Sequence, residues 1–211
     1  QWYNSEHLNT LIKLGLKKDD KVLDYGCGAG RVAEELFKWG IKYYTGIDCN
    51  KEAIIYACRY YGYPNYNYIY VPAVSELYGN SKIAEYQNIS NLKATAALVL
   101  SLITHLMPGE IVKILSLMFY CKTLKRAYIS CFLANNNKES SLCGAKIQLS
   151  NGVFIKRKDN PSAIVVYDPN LLIQLALNWN VDFIYGNWRK FNPKICKNKE
   201  IPYQDFMILT K

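Results

Sequence analysis

Apolar positions recur at intervals of three and four from Ser5 to Leu16 (Leu8, Leu11, Ile12, Leu14), which predicts a helix that stops at Gly15 before a polar turn over Lys17–Lys21. The period then changes. Val22-Leu23-Asp24-Tyr25 reads as a short buried strand, and Arg31 to Trp39 returns to helical spacing, with Val32, Leu36 and Trp39 near one face and Gly40 as the stop. Lys42 to Ile47 is a second strand, Lys51 to Tyr61 a helix ended by Gly62 and Pro64, and Tyr66 to Val71 an alternating third strand. Three strand–helix units in succession imply a parallel sheet joined by right-handed crossovers.

Further along, Ala96-Ala97-Leu98-Val99-Leu100-Ser101 is almost continuously apolar, the pattern of a strand covered on both faces. A strongly apolar helix over Glu110 to Tyr120 and a fifth strand over Arg126 to Leu133 follow. Residues 134–162 are rich in Asn, Ser and Lys and are broken by Gly144 and Gly152, which predicts a loop or hairpin excursion able to cover a substrate. Asp168-Pro169 then introduces a last helix, Asn170 to Trp179, with Asp168 or its neighbour as N-cap. Val181 to Trp188 and Tyr203 to Thr210 are the final strands. The connection between them is too short for a crossover helix, so they should pair antiparallel. No internal repeat or long linker divides the chain, and one domain over 1–211 is the expectation.

Chemistry concentrates at the first strand–helix turn, Asp24-Tyr25-Gly26-Cys27-Gly28-Ala29-Gly30, and at Asp48, the tip of the second strand. Glycines let backbone approach a ligand that a Cβ would hold off, the following helix start offers unpaired N–H groups, and a carboxylate at the next strand tip can accept from both hydroxyls of a ribose. Spacing narrows the ligand. A dinucleotide fingerprint needs its third glycine one residue later, where Arg31 stands, and no Gly-Lys-Ser/Thr ending marks a P-loop.

Composition adds limits. Of 211 residues, half are hydrophobic, yet no run of about 18 consecutive apolar residues suggests a membrane span. The opening residues do not resemble a signal peptide. Seven scattered cysteines with no C-x-x-C pair and two histidines make neither a disulfide framework nor a zinc site, so reduced, buried thiols in a cytoplasmic protein are expected, with no metal. A net charge of +9 is spread along the chain and favours anionic partners in general, nucleic acids and phosphorylated sugars among them. The tyrosines from Tyr60 to Tyr70 have only Arg59 nearby. Packing of core and rim therefore explains them better than base stacking.

An acidic residue followed by G-x-G-x-G after a strand resembles motif I of class I S-adenosyl-L-methionine (SAM)-dependent methyltransferases. The order of elements is similar over nearly the whole chain. It implies an α/β fold with a seven-stranded, doubly wound, mostly parallel sheet, an antiparallel C-terminal hairpin and helices on both faces. A closer similarity is to small-molecule and glycan methyltransferases, carried by Ser101-Leu102-Ile103-Thr104-His105-Leu106 after the fourth strand, Gly186-Asn187-Trp188, and Tyr203-Gln204-Asp205. The resemblance implies that Asp24 lies near the methionine amino end and that Gly26, Cys27, Gly28 and Gly30 form the turn around the methionine portion. It implies that Asp48 holds the ribose, Cys49 packs beside the adenine and Ser101 lies near the sulfonium. The family's acidic residue after the third strand is missing here, so backbone around Ala73 and Val74, or Glu76, would contact the adenine.

Methyl transfer from a sulfonium needs an oriented acceptor and, for a hydroxyl acceptor, a base. His105 is the candidate base, because imidazole titrates near neutrality. The competing role is a turn histidine bonded to backbone. The acceptor expected is an oxygen, less readily a nitrogen, of a small molecule or glycan. An RNA or cap methyltransferase is the alternative enzyme, and a non-catalytic subunit with the SAM fold is the alternative outside catalysis. The chain lacks the Pro-Pro-aromatic and Pro-Cys motifs that DNA-base methylation would place after strand four.

Overall fold

A computed structural model describes residues 2–72, 92–188 and 203–211. In chain order the elements begin with α1 (Trp2–Lys13), β1 (Lys21–Tyr25), α2 (Arg31–Trp39), β2 (Tyr43–Asp48), α3 (Lys51–Tyr61) and β3 (Tyr66–Tyr70). Next come β4 (Ala96–Val99), α4 (Pro108–Tyr120), β5 (Arg126–Cys131), α5 (Asn137–Ser140), β6 (Ile147–Ser150) and β7 (Val153–Ile155). The series ends with β8 (Val165–Tyr167), α6 (Pro169–Leu175), β9 (Asn180–Ile184) and β10 (Asp205–Thr210).

Seven strands form one sheet in the order β3-β2-β1-β4-β5-β10-β9. Pairs β1–β2, β2–β3 and β1–β4 are parallel, and β9–β10 is antiparallel. This is the Rossmann-like sheet that the element order predicts, with strand order reversing between β1 and β4. The physical cause is legible in burial. Every residue of β4 is buried, as a strand covered on both faces requires, whereas β9 alternates between exposed and half-buried.

Packing divides the chain into two compact units, Gln1–Leu100 with Leu117–Tyr128, and Ser101–Ser116 with Ile129–Lys211. The first unit is centred on β1, whose Val22 and Leu23 are buried, and on the Tyr44 and Ile47 side chains of β2. Asp20 ties the start of β1 to the approach to β4: its carboxylate accepts the Thr95 hydroxyl at 2.7 Å, and Thr95 Oγ1 accepts the Lys21 N–H. Several tyrosines pack as expected. Tyr66 is buried and stacks on Tyr44 with ring centres 4.9 Å apart, and Tyr63 stacks on Phe37 at 3.8 Å, while Tyr60 and Tyr70 remain exposed at the rim.

The second unit holds the excursion. It contains the predicted hairpin, β6–β7, and also a third strand, β8, that the sequence reading left out; the three form a small antiparallel sheet. β8 has three residues, too few for alternation to register. Phe132, Ala134, Ala145, Phe154, Val166 and Trp188 make its core, with Phe132 edge-on to Trp188 at 5.4 Å. The helix after Asp168 is shorter than predicted, Pro169–Leu175, and Asp168 caps it by accepting the Asn170 N–H at 2.8 Å. Strands β9 and β10 are also shorter than their predicted spans.

Candidate active site

In the first unit, the turn after β1 carries three glycines at positive φ: Gly26 at 85°, Gly28 at 52° and Gly30 at 80°. The Gly26 and Cys27 N–H groups both donate to the Ile47 carbonyl at the end of β2, so the turn is docked on the neighbouring strand. Asp48 completes the attachment. Its Oδ2 accepts the Gly28 N–H at 2.7 Å and its Oδ1 accepts the Asn50 N–H at 2.8 Å. The expected ribose-binding carboxylate is therefore also the brace of the glycine turn, a role the sequence reading missed. Each oxygen keeps a second lone pair for a hydroxyl.

The glycines do different work. A Cβ on Gly30 would lie 2.9 Å from Tyr61 and 3.1 Å from Ala57, so this residue lets α2 sit close to α3. A Cβ on Gly28 would meet nothing within 4 Å. Gly28 thus presents bare backbone to open space, the cradle that a close-approaching ligand needs. Cys27 is buried, its thiol pushed up by burial and by the Asp24 and Asp48 carboxylates, so it stays a neutral packing group.

Asp24 is only 2% exposed, and among the described residues its carboxylate receives one hydrogen bond, from the Tyr44 hydroxyl at 2.7 Å. Burial, assisted by nearby Asp48 and opposed by the Tyr44 bond, pushes its carboxyl up to about 7. Tyr44 was not singled out from sequence. The signal existed: alternate strand residues share a face, so Tyr44, Gly46 and Asp48 line one side of β2, and Gly46 pairs with Asp24.

In the second unit, Ser101 follows β4 with φ 54°, a left-handed conformation that a serine adopts at a cost. Three bonds hold it there. Its N–H donates to Ser130 Oγ at 2.7 Å, its hydroxyl donates to Gln204 Oε1 at 3.1 Å, and its carbonyl accepts the Thr104 hydroxyl at 3.1 Å. His105 closes the 3₁₀ turn Ile103–His105, is exposed, and lies with Nδ1 2.8 Å from the Ser162 carbonyl. A carbonyl only accepts, so Nδ1 carries the proton and the Nε2 lone pair is left for another partner.

The second suggestive segment of the sequence, Gln204-Asp205, has a structural role. Asp205 is fully buried and its carboxylate accepts three N–H groups, from Leu133, Gly186 and the Trp188 indole, at 2.7, 2.7 and 2.6 Å. Cys49 follows β2 and is exposed, as is Cys58, which corrects the expectation of uniformly buried thiols; Cys27, Cys121 and Cys131 are buried. No two of the six cysteines among the described residues are joined by a disulfide. Ala73, Val74 and Glu76 lie outside the described residues. No helix among the described residues is long and apolar enough to cross a membrane.

Solved structures share this architecture. A SAM-dependent methyltransferase from Methanosarcina mazei superposes with a TM-score of 0.60 at 22% identity, over 95% of this chain and 96% of that one. A SAM-dependent methyltransferase from Archaeoglobus fulgidus gives 0.60 at 18%, over 98% and 93%. The Burkholderia thailandensis 1,6-didemethyltoxoflavin N1-methyltransferase, with its substrate and S-adenosylhomocysteine bound, gives 0.60 at 16%, over 100% and 79%. No family profile and no curated protein sequence matches the chain. The fold is the Rossmann-like fold of class I methyltransferases.

Proposed function

We propose that this protein is a SAM-dependent methyltransferase that methylates an oxygen of a small-molecule or glycan acceptor. The observation that carries the reading is the glycine turn: bare backbone at Gly28 facing open space, braced by Asp48, with the buried Asp24 on the strand that leads into it. Gly26, Cys27, Gly28 and Gly30 would cradle the methionine portion of SAM, Asp24 its ammonium, Asp48 the ribose hydroxyls and Cys49 the adenine edge, with Ala73 and Val74 completing the adenine contact. When bound, SAM supplies a methyl group already activated by its sulfonium.

What the chain must add is acceptor orientation and a proton sink. His105 is suited to the second task, because the Ser162 carbonyl holds its Nδ1–H and leaves Nε2 as the base. Ser101 is the proposed neighbour of the transferring group. An oxygen-rich acceptor is supported by a groove of about 510 Å³ in the second unit, lined by Asn135, Asn136, Asn137, Gln148, Asn151 and Asp168 together with Lys138, Gly152 and Phe154. Side-chain amides both donate and accept, which suits hydroxyl groups that do the same.

Calorimetric titration with SAM and S-adenosylhomocysteine tests the reading. Both should bind, and Asp48→Ala should weaken both by tenfold or more. Absence of binding, or unchanged affinity in Asp48→Ala, overturns it.

A further inference from the structure

Tyr44 is 1% exposed and lies on β2 between rings: Tyr66 stacks on it at 4.9 Å and Tyr68 lies tilted at 5.7 Å. Its hydroxyl is thereby fixed in direction, and it points at Oδ2 of Asp24. Burial keeps this phenol protonated far beyond neutral pH, so it is a permanent donor. The titratable groups of the described residues that face Asp24 are the Tyr44 hydroxyl, the Asp48 carboxylate, the Cys27 thiol and the Tyr68 hydroxyl. None is a cation. A carboxylate buried with one donor and an anionic neighbour lacks a compensating positive charge, and a ligand ammonium would supply it.

We propose that Tyr44 is a positioning residue for the amino end of the cofactor: by occupying Oδ2 of Asp24 it turns Oδ1 toward the ligand ammonium, and ligand binding expels a proton from the Asp24–Tyr44 pair. The inference rests on the proposed SAM site and adds to it a residue and a proton. The balance is simple. Free protein near neutrality holds the Asp24 carboxyl partly protonated, the bound ammonium stabilises the carboxylate, and the proton leaves to buffer. Asp48 stays braced by the Gly28 and Asn50 amides.

The test is calorimetry with S-adenosylhomocysteine, which carries the same ammonium and does not react, at pH 6, 7 and 8 in buffers of different ionisation enthalpy. Wild-type affinity should rise about fivefold from pH 6 to pH 7 and less than twofold from pH 7 to pH 8, with proton release largest at the acid end. Tyr44→Phe should move the rise to higher pH and weaken binding at pH 7 by about tenfold. Asp24→Asn should bind weakly with no pH dependence and no proton release, and adding Tyr44→Phe to it should change affinity by less than twofold. Circular dichroism checks that each variant is folded, and the wild-type profile stands by itself if Tyr44→Phe does not fold. A flat wild-type profile, or a Tyr44→Phe profile superimposable on wild type, overturns the inference while leaving the SAM site intact. A wild-type protein that binds at no pH overturns both.

Discussion

Asp48 Oδ2 and the Gly28 backbone N–H meet at 2.7 Å across twenty residues of sequence, joining the tip of one strand to the turn that leaves its neighbour. The glycine turn is thus held from the side by the carboxylate proposed to take the ribose. Gly28 and Gly30 share the left-handed conformation, so alanine costs each about 1 kcal/mol of backbone strain. Only Gly30→Ala also collides with Tyr61 and Ala57. Gly30→Ala should therefore lose clearly more stability in urea unfolding, by about 2–4 kcal/mol in total. Gly28→Ala should lose only the strain term of about 1 kcal/mol, yet lose tenfold or more in SAM affinity.

His105 is predicted to separate binding from turnover. With Nδ1–H fixed on the Ser162 carbonyl, His105→Ala removes the base and leaves the glycine turn untouched. Transfer of tritiated methyl groups from SAM into a pool of glycans and small metabolites should fall about 100-fold or more. SAM affinity should stay within twofold. Unchanged transfer would return His105 to a purely structural turn.

Asp24 makes stability depend on pH in an unusual direction for a carboxylate. Its folded carboxyl is raised to about 7, above its unfolded value near 4, so between these limits the folded state binds more protons than the unfolded chain. The stabilising contribution is complete below pH 4 and is lost as pH rises toward 7, at up to about 1.4 kcal/mol per pH unit. Asp24→Asn should remove this slope. Urea unfolding of the two proteins at pH 5, 6, 7 and 8 should show the asparagine variant gaining on wild type with each step up to pH 7.

Ser101 offers a comparison of two small substitutions. Alanine keeps the strain of φ 54° and loses the bond to Gln204, whereas glycine loses the same bond and relieves the strain. Ser101→Gly should therefore be more stable than Ser101→Ala by about 1 kcal/mol in chemical denaturation. Equal stabilities would show that the three bonds around Ser101 do not hold a strained residue.

Local signals carried the part of the fold that sequence exposes. Arg31–Trp39 and Lys51–Tyr61 occur with the bounds their spacing predicts, because an amphipathic stripe and a terminal glycine are properties of neighbouring residues. The glycine turn and Asp48 were visible for the same reason. Two kinds of feature stayed hidden. Val165–Tyr167 is too short for its period to register, and its strand character comes from pairing with β7. The donors to Asp205 lie 72, 19 and 17 residues away, so nothing near Asp205 announces them. Asn151-Gly152 was the signal that would have set the β6–β7 turn, since that dipeptide favours tight hairpins.

Strand order has a consequence for assembly. Among the described residues, β9 meets the main sheet only through β10, which lies between it and β5. An edge strand made earlier in the chain must therefore wait for a later one before its backbone finds partners. Asp205 opens that later strand and gathers N–H groups from Leu133, Gly186 and Trp188, so the bond to Leu133 closes a loop of 72 residues. Contacts of such separation repay their entropy late. The bonds to Asp205 thus join segments that are far apart in sequence, and the β6–β7–β8 sheet pairs without them.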